Sequence, residues 1–385
     1  MRIAIDGRFL ALPPSGTGTY LRHLLEELPA VAPDDELVVL DSATEGRKSR
    51  SWRAIPTVLR RDPRFRRFVW ESAGFKATAK MRSPDLLHIP SFAAPWYSSV
   101  PFVVTIHDAI PFVLPEYRAS RVMRLHLALM KRTTRQAALV LTPSQAAADD
   151  LARVLSIDAK KIRVTPEAAD PRCVPLEDRQ LPEGLRVKFE IDGPYVFTTG
   201  GLDVRKRVDL LIEAFAAALP ELPTDARLVI GGKAHSDNPV VYPPLQPVID
   251  RLGIGERVAM TGWLTDEEKI ALYQSAAIYA TPSIYEGFGL TPLEAMACGT
   301  PVLATRRTSL PEIIGDAGLL VEPSVRELRD GLVRLFNDEA LRADLGARGL
   351  QRAAQFSWRR TAELTSAAYH EAYESSPRKR IRGIH

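Results

Sequence analysis

Two carboxylates, Glu286 and Glu294, flank a glycine turn in the segment SIYEGFGLTPLEAMACGTP, residues 283–301. The turn Gly287-Phe288-Gly289 lets backbone N–H groups approach a ligand closely, because glycine has no Cβ to hold it off. A helix expected to start near Thr291 points its positive end at the same spot. Amides and a helix end suit phosphates, and carboxylates suit sugar hydroxyls, so the combination fits an anionic, hydroxyl-rich ligand. Thr291-Pro292-Leu293-Glu294 also has the spacing of a capping box with proline at the first helical position, as do Thr265…Glu268, Ser309…Glu312 and Ser324…Glu327. Glu294 is therefore a candidate cap as much as a ligand contact. Glu286 has no structural duty legible in the sequence, which makes it the cleaner probe.

Cations stand in the run Asp203-Val204-Arg205-Lys206-Arg207, after Gly200-Gly201 and before a helical pattern. Positive charge at a helix start opposes the macrodipole, a local cost that a bound anion would offset. Arg205 with its fork and Lys206 as a point charge are suited to a diphosphate; a solvated basic turn is the alternative. His107-Asp108 closes the apolar run Pro101–Ile106. That is the carboxyl end of a strand, where open α/β sheets hold ligands. Asp108 either orients the imidazole or only turns the chain. Gly16-Thr17-Gly18 half-matches a dinucleotide fingerprint, but Leu21 occupies the third glycine position and the turn lies about ten residues beyond the first strand. It reads better as a flexible loop over a cleft. Gly231-Gly232-Lys233 continues with Ala234 and completes no Walker A motif.

The elements that must position these groups alternate between β-rich runs and helical patterns, the α/β signature with mostly parallel sheets. Strands are expected at Arg2–Asp6, Leu37–Leu40, Leu86–Ile89, Val103–Ile106 and Ala138–Leu141. A second set is expected at Tyr195–Thr198, Arg227–Ile230, Val258–Thr261, Ile278–Ala280, Val302–Ala304 and Leu319–Val321. Helices are expected at Thr19–Leu28, about 117–136, 145–155, about 207–219, 266–276 and 292–298, and from Val325 onward. A chain of 385 residues exceeds one ordinary core. Residues 171–194, rich in Pro, Gly and charge, read as an inter-domain connection. The fold class expected is α/β, two doubly wound parallel-sheet domains facing a cleft, spanning 1–175 and 190–356, with a helix at about 357–375 packing back on the first.

Composition is that of a soluble globular chain, and no apolar run approaches the length of a membrane span. The alternating N-terminus MRIAIDGRFLAL reads as a strand and not a signal peptide. Two distant cysteines, Cys173 and Cys298, argue against a disulfide framework and for a reducing, cytoplasmic compartment. Neither has a Cys or His neighbour at metal-ligand spacing, so a zinc site is not expected. The net charge of +4 is clustered, with Arg60, Arg61, Arg64, Arg66 and Arg67 beside Phe65, Phe68 and Trp70, and a basic tail from Arg378 to Arg382. These are either solvated faces or a surface that rests on anionic lipid. No nucleic-acid motif accompanies them.

Taken in order, the segments form a series. The pair Glu286 and Glu294 within YEGFGLTPLEAMACGTPV resembles the paired-Glu signature of family 4 glycosyltransferases. IAIDGRFL…SGTGTYLRHLLEEL, DLLHIPSFAAP, VVTIHDAIPFVLPEY and VLTPSQAAADDL are similar to the N-domain blocks of that family. TGGLDVRKRVDLLIEAF, LVIGGK, VAMTGWLTDEEKIALYQSAAIYATPS and TSLPEIIGDAGLLVEP are similar to its C-domain blocks. The resemblance implies the GT-B fold, transfer from a nucleotide sugar with retention, and no cofactor or metal requirement. It implies that Arg205 and Lys206 hold the diphosphate and that Glu294 binds the ribose. Glu286 and the backbone of Phe288, Gly289 and Leu290 would hold the sugar and distal phosphate. Gly16 would lie close to the donor, His107 near the transferred sugar, and the loop at Trp263-Leu264 would face the base. Front-side attack assisted by the leaving phosphate is the implied route.

Two positions depart from the family pattern. Gly201 stands where many members carry Arg, with Arg205 as the substitute charge. Thr291 stands where many have Pro, and it is expected still to cap the helix. The RKR block after Gly-Gly resembles that of mannosyltransferases of surface-polysaccharide assembly, which implies GDP-mannose, with a UDP-sugar as the alternative. A glycan or lipid-linked saccharide of surface-polysaccharide assembly is the expected acceptor, with peripheral membrane contact through Arg60–Trp70. The competing readings are a non-catalytic nucleotide-sugar-binding subunit and a dinucleotide-dependent oxidoreductase.

Overall fold

The computed structural model describes residues 1–10, 15–40, 82–92, 98–118, 121–234 and 236–376. The basic clusters Arg60–Trp70 and Arg378–Arg382 lie outside the described residues. The chain divides into two compact units, Met1–Glu167 with Trp358–His385, and Ala168–Ser357.

In the first unit the described strands are β1 (Arg2–Asp6), β2 (Glu36–Leu40), β3 (Leu86–Ile89), β4 (Phe102–Thr105), β5 (Leu139–Thr142) and β6 (Ile162–Val164). They pair in parallel in the order β2-β1-β3-β4-β5-β6. The inner strands β3, β4 and β5 are buried throughout, while β2 and β6, at the edges, are only partly so. That explains the near-continuous apolar runs LLHI, FVVT and LVLT, since a parallel sheet is covered on both faces. β6 is a strand that the sequence reading did not anticipate. The helix Trp358–Glu374 packs against the helix Gly16–Val31 in this unit.

The second unit holds β7 (Tyr195–Thr199), β8 (Arg227–Gly231), β9 (Val258–Gly262), β10 (Ile278–Thr281), β11 (Val302–Thr305) and β12 (Leu319–Val321), all parallel, in the order β12-β11-β10-β7-β8-β9. Alternate side chains of each strand serve opposite layers. Tyr195, Phe197, Val229, Tyr279, Val302 and Ala304 join one core, and Val196, Leu228, Ile230, Ile278, Ala280 and Leu303 join the other. This is the strand period of two with both faces apolar. The helix Val208–Ala218 contributes Leu211, Ile212 and Phe215 to the second core, where it meets the helix Val325–Asn337. A buried side chain of this size stabilises the fold by about 1.5–3 kcal/mol.

The strand order places a switch point between β7 and β10. The chain runs outward through β8 and β9, then returns to the centre and runs the other way through β11 and β12. Doubly wound sheets bind ligands in the crevice beyond the carboxyl ends of two such strands.

Within residues 171–194 a helix spans Glu183–Phe189, an element that the sequence reading did not anticipate. Cys173 and Cys298, distant in sequence, lie in one core as free thiols. A hydrogen bond to Cys298, then burial, pushes the Cys173 thiol far above its ordinary range.

Candidate functional site

Two turns meet at the switch point. After β7, Gly200 adopts φ 139°, which only glycine tolerates well, and the chain passes through Gly201 and Asp203 into a tight turn at Val204–Lys206. After β10 comes the stretch from Ser283 to Gly289. The Ile284 N–H donates to the Arg205 carbonyl at 2.8 Å, joining one turn to the other. Side chains complete the joint. Lys206 Nζ donates to Glu286 Oε1 at 2.7 Å, and an Arg205 N–H donates to Glu286 Oε2 at 2.7 Å and to the Tyr285 carbonyl at 3.1 Å. Asp203 sits 3.1 Å from Arg205 Nε. The Ser283 hydroxyl adds a hydrogen bond to Glu286 Oε1 at 2.7 Å.

Glu286 is buried, and burial alone would raise its pKa. Arg205 and then Lys206 outweigh that and hold the carboxyl at about 2. The expectation that Glu286 lacks a structural duty is thus overturned: it is the shared counter-ion of the two cations. Its backbone is held as well, its N–H by Thr308 Oγ1 at 2.9 Å and its carbonyl by the Ser309 hydroxyl at 3.0 Å. Ser309 therefore caps no helix with its side chain. Arg205 and Lys206 lie in the turn ahead of the helix Val208–Ala218, not in its first turn.

The helix expected to start near Thr291 spans Leu290–Ala297, with Gly289 at the N-cap at φ 110° and no side-chain cap. Thr291 is inside it and hydrogen-bonds the Tyr279 phenol instead of capping. Glu294 is accordingly no partner in a capping box. It is almost fully buried, with Oε1 3.0 Å from Lys269 Nζ and Oε2 2.9 Å from the Tyr273 hydroxyl. Burial disfavours the charge on Lys269, but Glu294 outweighs it and the pKa rises. Thr265…Glu268 forms the full reciprocal capping box, and Ser324 caps the Glu327 N–H.

The uncapped helix start thus follows in the same turn as Glu286, the partner of the buried Lys206 ammonium. The first-turn N–H groups of a helix have no intrahelical acceptors and carry its positive end. Gly287 and Gly289 let the backbone pass without a Cβ, while the Phe288 ring packs edge-on against Phe356 in the core. Only the backbone of Phe288 is left for a ligand. Gly231, Gly232 and Gly262 continue this edge of the sheet. A Cβ on Gly232 would fall 2.0 Å from the Gly200 carbonyl oxygen, so β7 and β8 close tightly there. Trp263, 44% exposed, follows β9 on the same edge with Lys233 Nζ 5.4 Å from its ring centre, and Leu264 packs against Gly231.

In the first unit, Gly16 is the first residue of the helix Gly16–Val31 and not part of a loop. Ser15 is the N-cap, its Oγ accepting from the Gly18 N–H at 3.2 Å. Among the described residues nothing lies within 4 Å of a Cβ built on Gly16. His107 follows β4, and its partner is Glu167, with Nδ1 2.7 Å from Oε1. Asp108 accepts from the Ile110 N–H at 2.9 Å and so shapes the turn. His88 is held neutral: burial, with a smaller contribution from nearby His107, pushes its pKa down to about 3.

Glu167, Lys269, Tyr273, Ser283 and Thr308 escaped sequence reasoning. Lys269 and Tyr273, four apart on the helix Asp266–Ser275, carry the one usable signal, since that spacing places both on one face. The others act across elements and leave no local pattern.

Residues 14–172 match the model "Glycosyltransferase Family 4", and residues 185–352 match "Glycosyl transferases group 1". The chain is 28% identical to O-antigen chain mannosyltransferase B of Escherichia coli, over 96% of this chain and 99% of that one. Among solved structures it is similar to sucrose-phosphate synthase of Thermosynechococcus elongatus, with TM-score 0.74 at 22% identity, over 98% of this chain and 100% of that one. It is also similar to Anabaena HepE in complex with UDP-glucose, with TM-score 0.68 at 19% identity, over 97% and 98%. These likenesses show the GT-B fold, with a parallel six-stranded sheet in each unit. With the two family models matched in order along most of its length, the chain belongs to the family 4 type of glycosyltransferases.

Proposed function

We propose that the chain is a retaining, metal-independent hexosyltransferase that moves mannose from GDP-mannose to a glycan or lipid-linked saccharide in surface-polysaccharide assembly. The observation that supports the reading is the switch-point arrangement: buried Lys206 is paired with Glu286, which lies in the turn that leads through Gly289 into the uncapped helix Leu290–Ala297. A nucleoside diphosphate leaving group gathers charge as the anomeric bond breaks, and preorganised cations and N–H groups stabilise it. Lys206 and Arg205 take the diphosphate. Gly201 lets the backbone approach it, and the amides of Phe288, Gly289 and Leu290 take the distal phosphate. Glu286 orients the cations and accepts sugar hydroxyls. Glu294, with Lys269 and Tyr273 fixing its carboxylate, accepts ribose hydroxyls, and Trp263-Leu264 faces the base. The first unit serves the acceptor, with Gly16 and His107 beside the transferred sugar.

Mannose is favoured because the full-length relative in Escherichia coli is named a mannosyltransferase. HepE was solved with UDP-glucose, so a UDP-sugar is the alternative donor. A thermal-shift panel of GDP, UDP, ADP and dTDP with their sugars tests the reading. Stabilisation by GDP and GDP-mannose alone is expected, and a response confined to UDP ligands would replace the donor. At a hundred times Kd a ligand adds about 2.7 kcal/mol of stability. Donor turnover with and without acceptor separates an enzyme from a binding subunit. Salt-sensitive sedimentation with anionic vesicles tests the membrane contact proposed for Arg60–Trp70 at a cytoplasmic face.

A further inference from the structure

His107 stands at the end of a buried polar chain. Tyr20 meets its ring edge-on, with centroids 4.9 Å apart and planes at 77°. The Tyr20 hydroxyl is 3.1 Å from Thr105 Oγ1, which is 2.8 Å from His88 Nε2, and His88 Nδ1 is 2.7 Å from the Tyr369 hydroxyl. On its other side His107 Nδ1 meets Glu167, whose side chain is only 6% exposed. His107 Nε2 is buried and has no hydrogen-bond partner among the described residues.

An ionised carboxylate can only accept hydrogen bonds, so the contact to Glu167 requires the proton on Nδ1. In the neutral ring Nε2 is then the bare acceptor. The ring cannot exchange its two nitrogens without breaking the Glu167 contact and displacing its packing against Tyr20. A buried acceptor left without a donor is costly, and a ligand O–H would supply one. Resting on the reading that places His107 beside the transferred sugar, we propose that Glu167 is a positioning residue. It locks His107 as the Nδ1–H tautomer, so that Nε2 accepts a hydrogen bond from a ligand hydroxyl. A purely structural contact would hold the same Nδ1 proton but would not couple to transfer.

The test uses the full chain labelled with ¹⁵N-histidine, at a pH where the ring is neutral, with His107→Gln assigning the signal. Long-range ¹H–¹⁵N correlations should show a protonated Nδ1 and a bare Nε2 in the wild type. Glu167→Ala should release the ring toward the Nε2–H form and lower kcat roughly tenfold or more, with little change in donor KM. Glu167→Gln, whose carbonyl can still accept from Nδ1–H, should keep the tautomer and most of the rate. Glu167→Ala added to His107→Ala should cost nothing further. A wild-type Nε2–H form, an unchanged tautomer in Glu167→Ala, or additive losses would each overturn the proposal. Full transfer by His107→Ala would overturn the placement of His107 beside the sugar, and with it the role of Nε2. The ring-nitrogen signals would still decide whether Glu167 sets the tautomer.

Discussion

Lys206 Nζ lies 2.7 Å from Glu286 Oε1, an ion pair that joins the turn after β7 to the turn after β10. Both partners are buried, and Arg205 shares the same carboxylate. Removing one member of a buried pair leaves a charge without its counter-ion, at a cost of about 3–5 kcal/mol. A loss of transfer in Glu286→Ala would therefore mix folding with binding.

Glu286→Gln separates the two by pH. The folded carboxyl titrates at about 2 against an ordinary 4.5. A depressed carboxyl contributes stability that is complete above the unfolded value and is lost as pH falls from there toward the folded value. That gap corresponds to roughly 3 kcal/mol. Wild-type stability should fall between those two pH values more steeply than that of Glu286→Gln, while the variant is the less stable protein at neutral pH. Denaturant midpoints across the range measure this, and parallel profiles would contradict the pairing.

Lys206→Ala should lower transfer by about 10²–10³-fold, the usual loss when one preorganised donor to a developing charge is removed. Glu286 keeps Arg205 and Ser283 as partners, so the fold should survive. Lys206→Arg should not restore activity. The Lys206 chain already runs so close to Gly200 that a Cβ there would lie 3.2 Å from Cε, and the bulkier guanidinium has no room. Single-turnover rates beside melting curves check both points.

Glu294→Ala strands the Tyr273 hydroxyl, which is fully buried, and the partly exposed Lys269. About 2 kcal/mol of stability should be lost. Glu294→Gln keeps an acceptor for Tyr273 and should lose less. Nucleoside diphosphate affinity, measured by calorimetry at a temperature where both variants are folded, should fall further in Ala than in Gln. Unchanged affinity in both would remove Glu294 from the ribose site.

Gly232→Ala and Gly16→Ala should behave oppositely. At Gly232 a Cβ would sit 2.0 Å from the Gly200 carbonyl oxygen, and φ is 111°. Strain and displacement should cost roughly 2–4 kcal/mol. At Gly16 no described residue obstructs a Cβ, and alanine favours a helix, so the melting temperature should hold or rise. A drop in transfer by Gly16→Ala with an unchanged melting temperature would report a lost ligand contact.

Much of the fold was legible because it rests on local pattern. Runs such as FVVT, IYAT and VLAT are strands of a sheet covered on both faces, and their spacing by helical periods leaves a parallel arrangement as the natural solution. The glycines at the strand ends and the residues Arg205, Lys206, Glu286 and Glu294 could also be picked out, since residue type and position after a strand are written in one dimension. Less legible was the helix at residues 183–189, which lies in a stretch dense with punctuating residues.

What the sequence by itself determined is the two-unit α/β plan, the family and the roster of chemical groups. Only the tertiary structure decided who partners whom. Spacing cast Thr291 and Glu294 as a capping box, but the helix begins at Leu290, Thr291 turns to Tyr279, and Glu294 is claimed by Lys269 and Tyr273. Spacing left Glu286 without a duty, and the strand order brought Arg205 and Lys206 to it. His107 found Glu167, sixty residues away, and not adjacent Asp108. The physical reason is common to all three. A buried polar group must be satisfied by whatever the packed elements bring within about 3 Å, and in a doubly wound sheet those neighbours come from strands far apart in the chain.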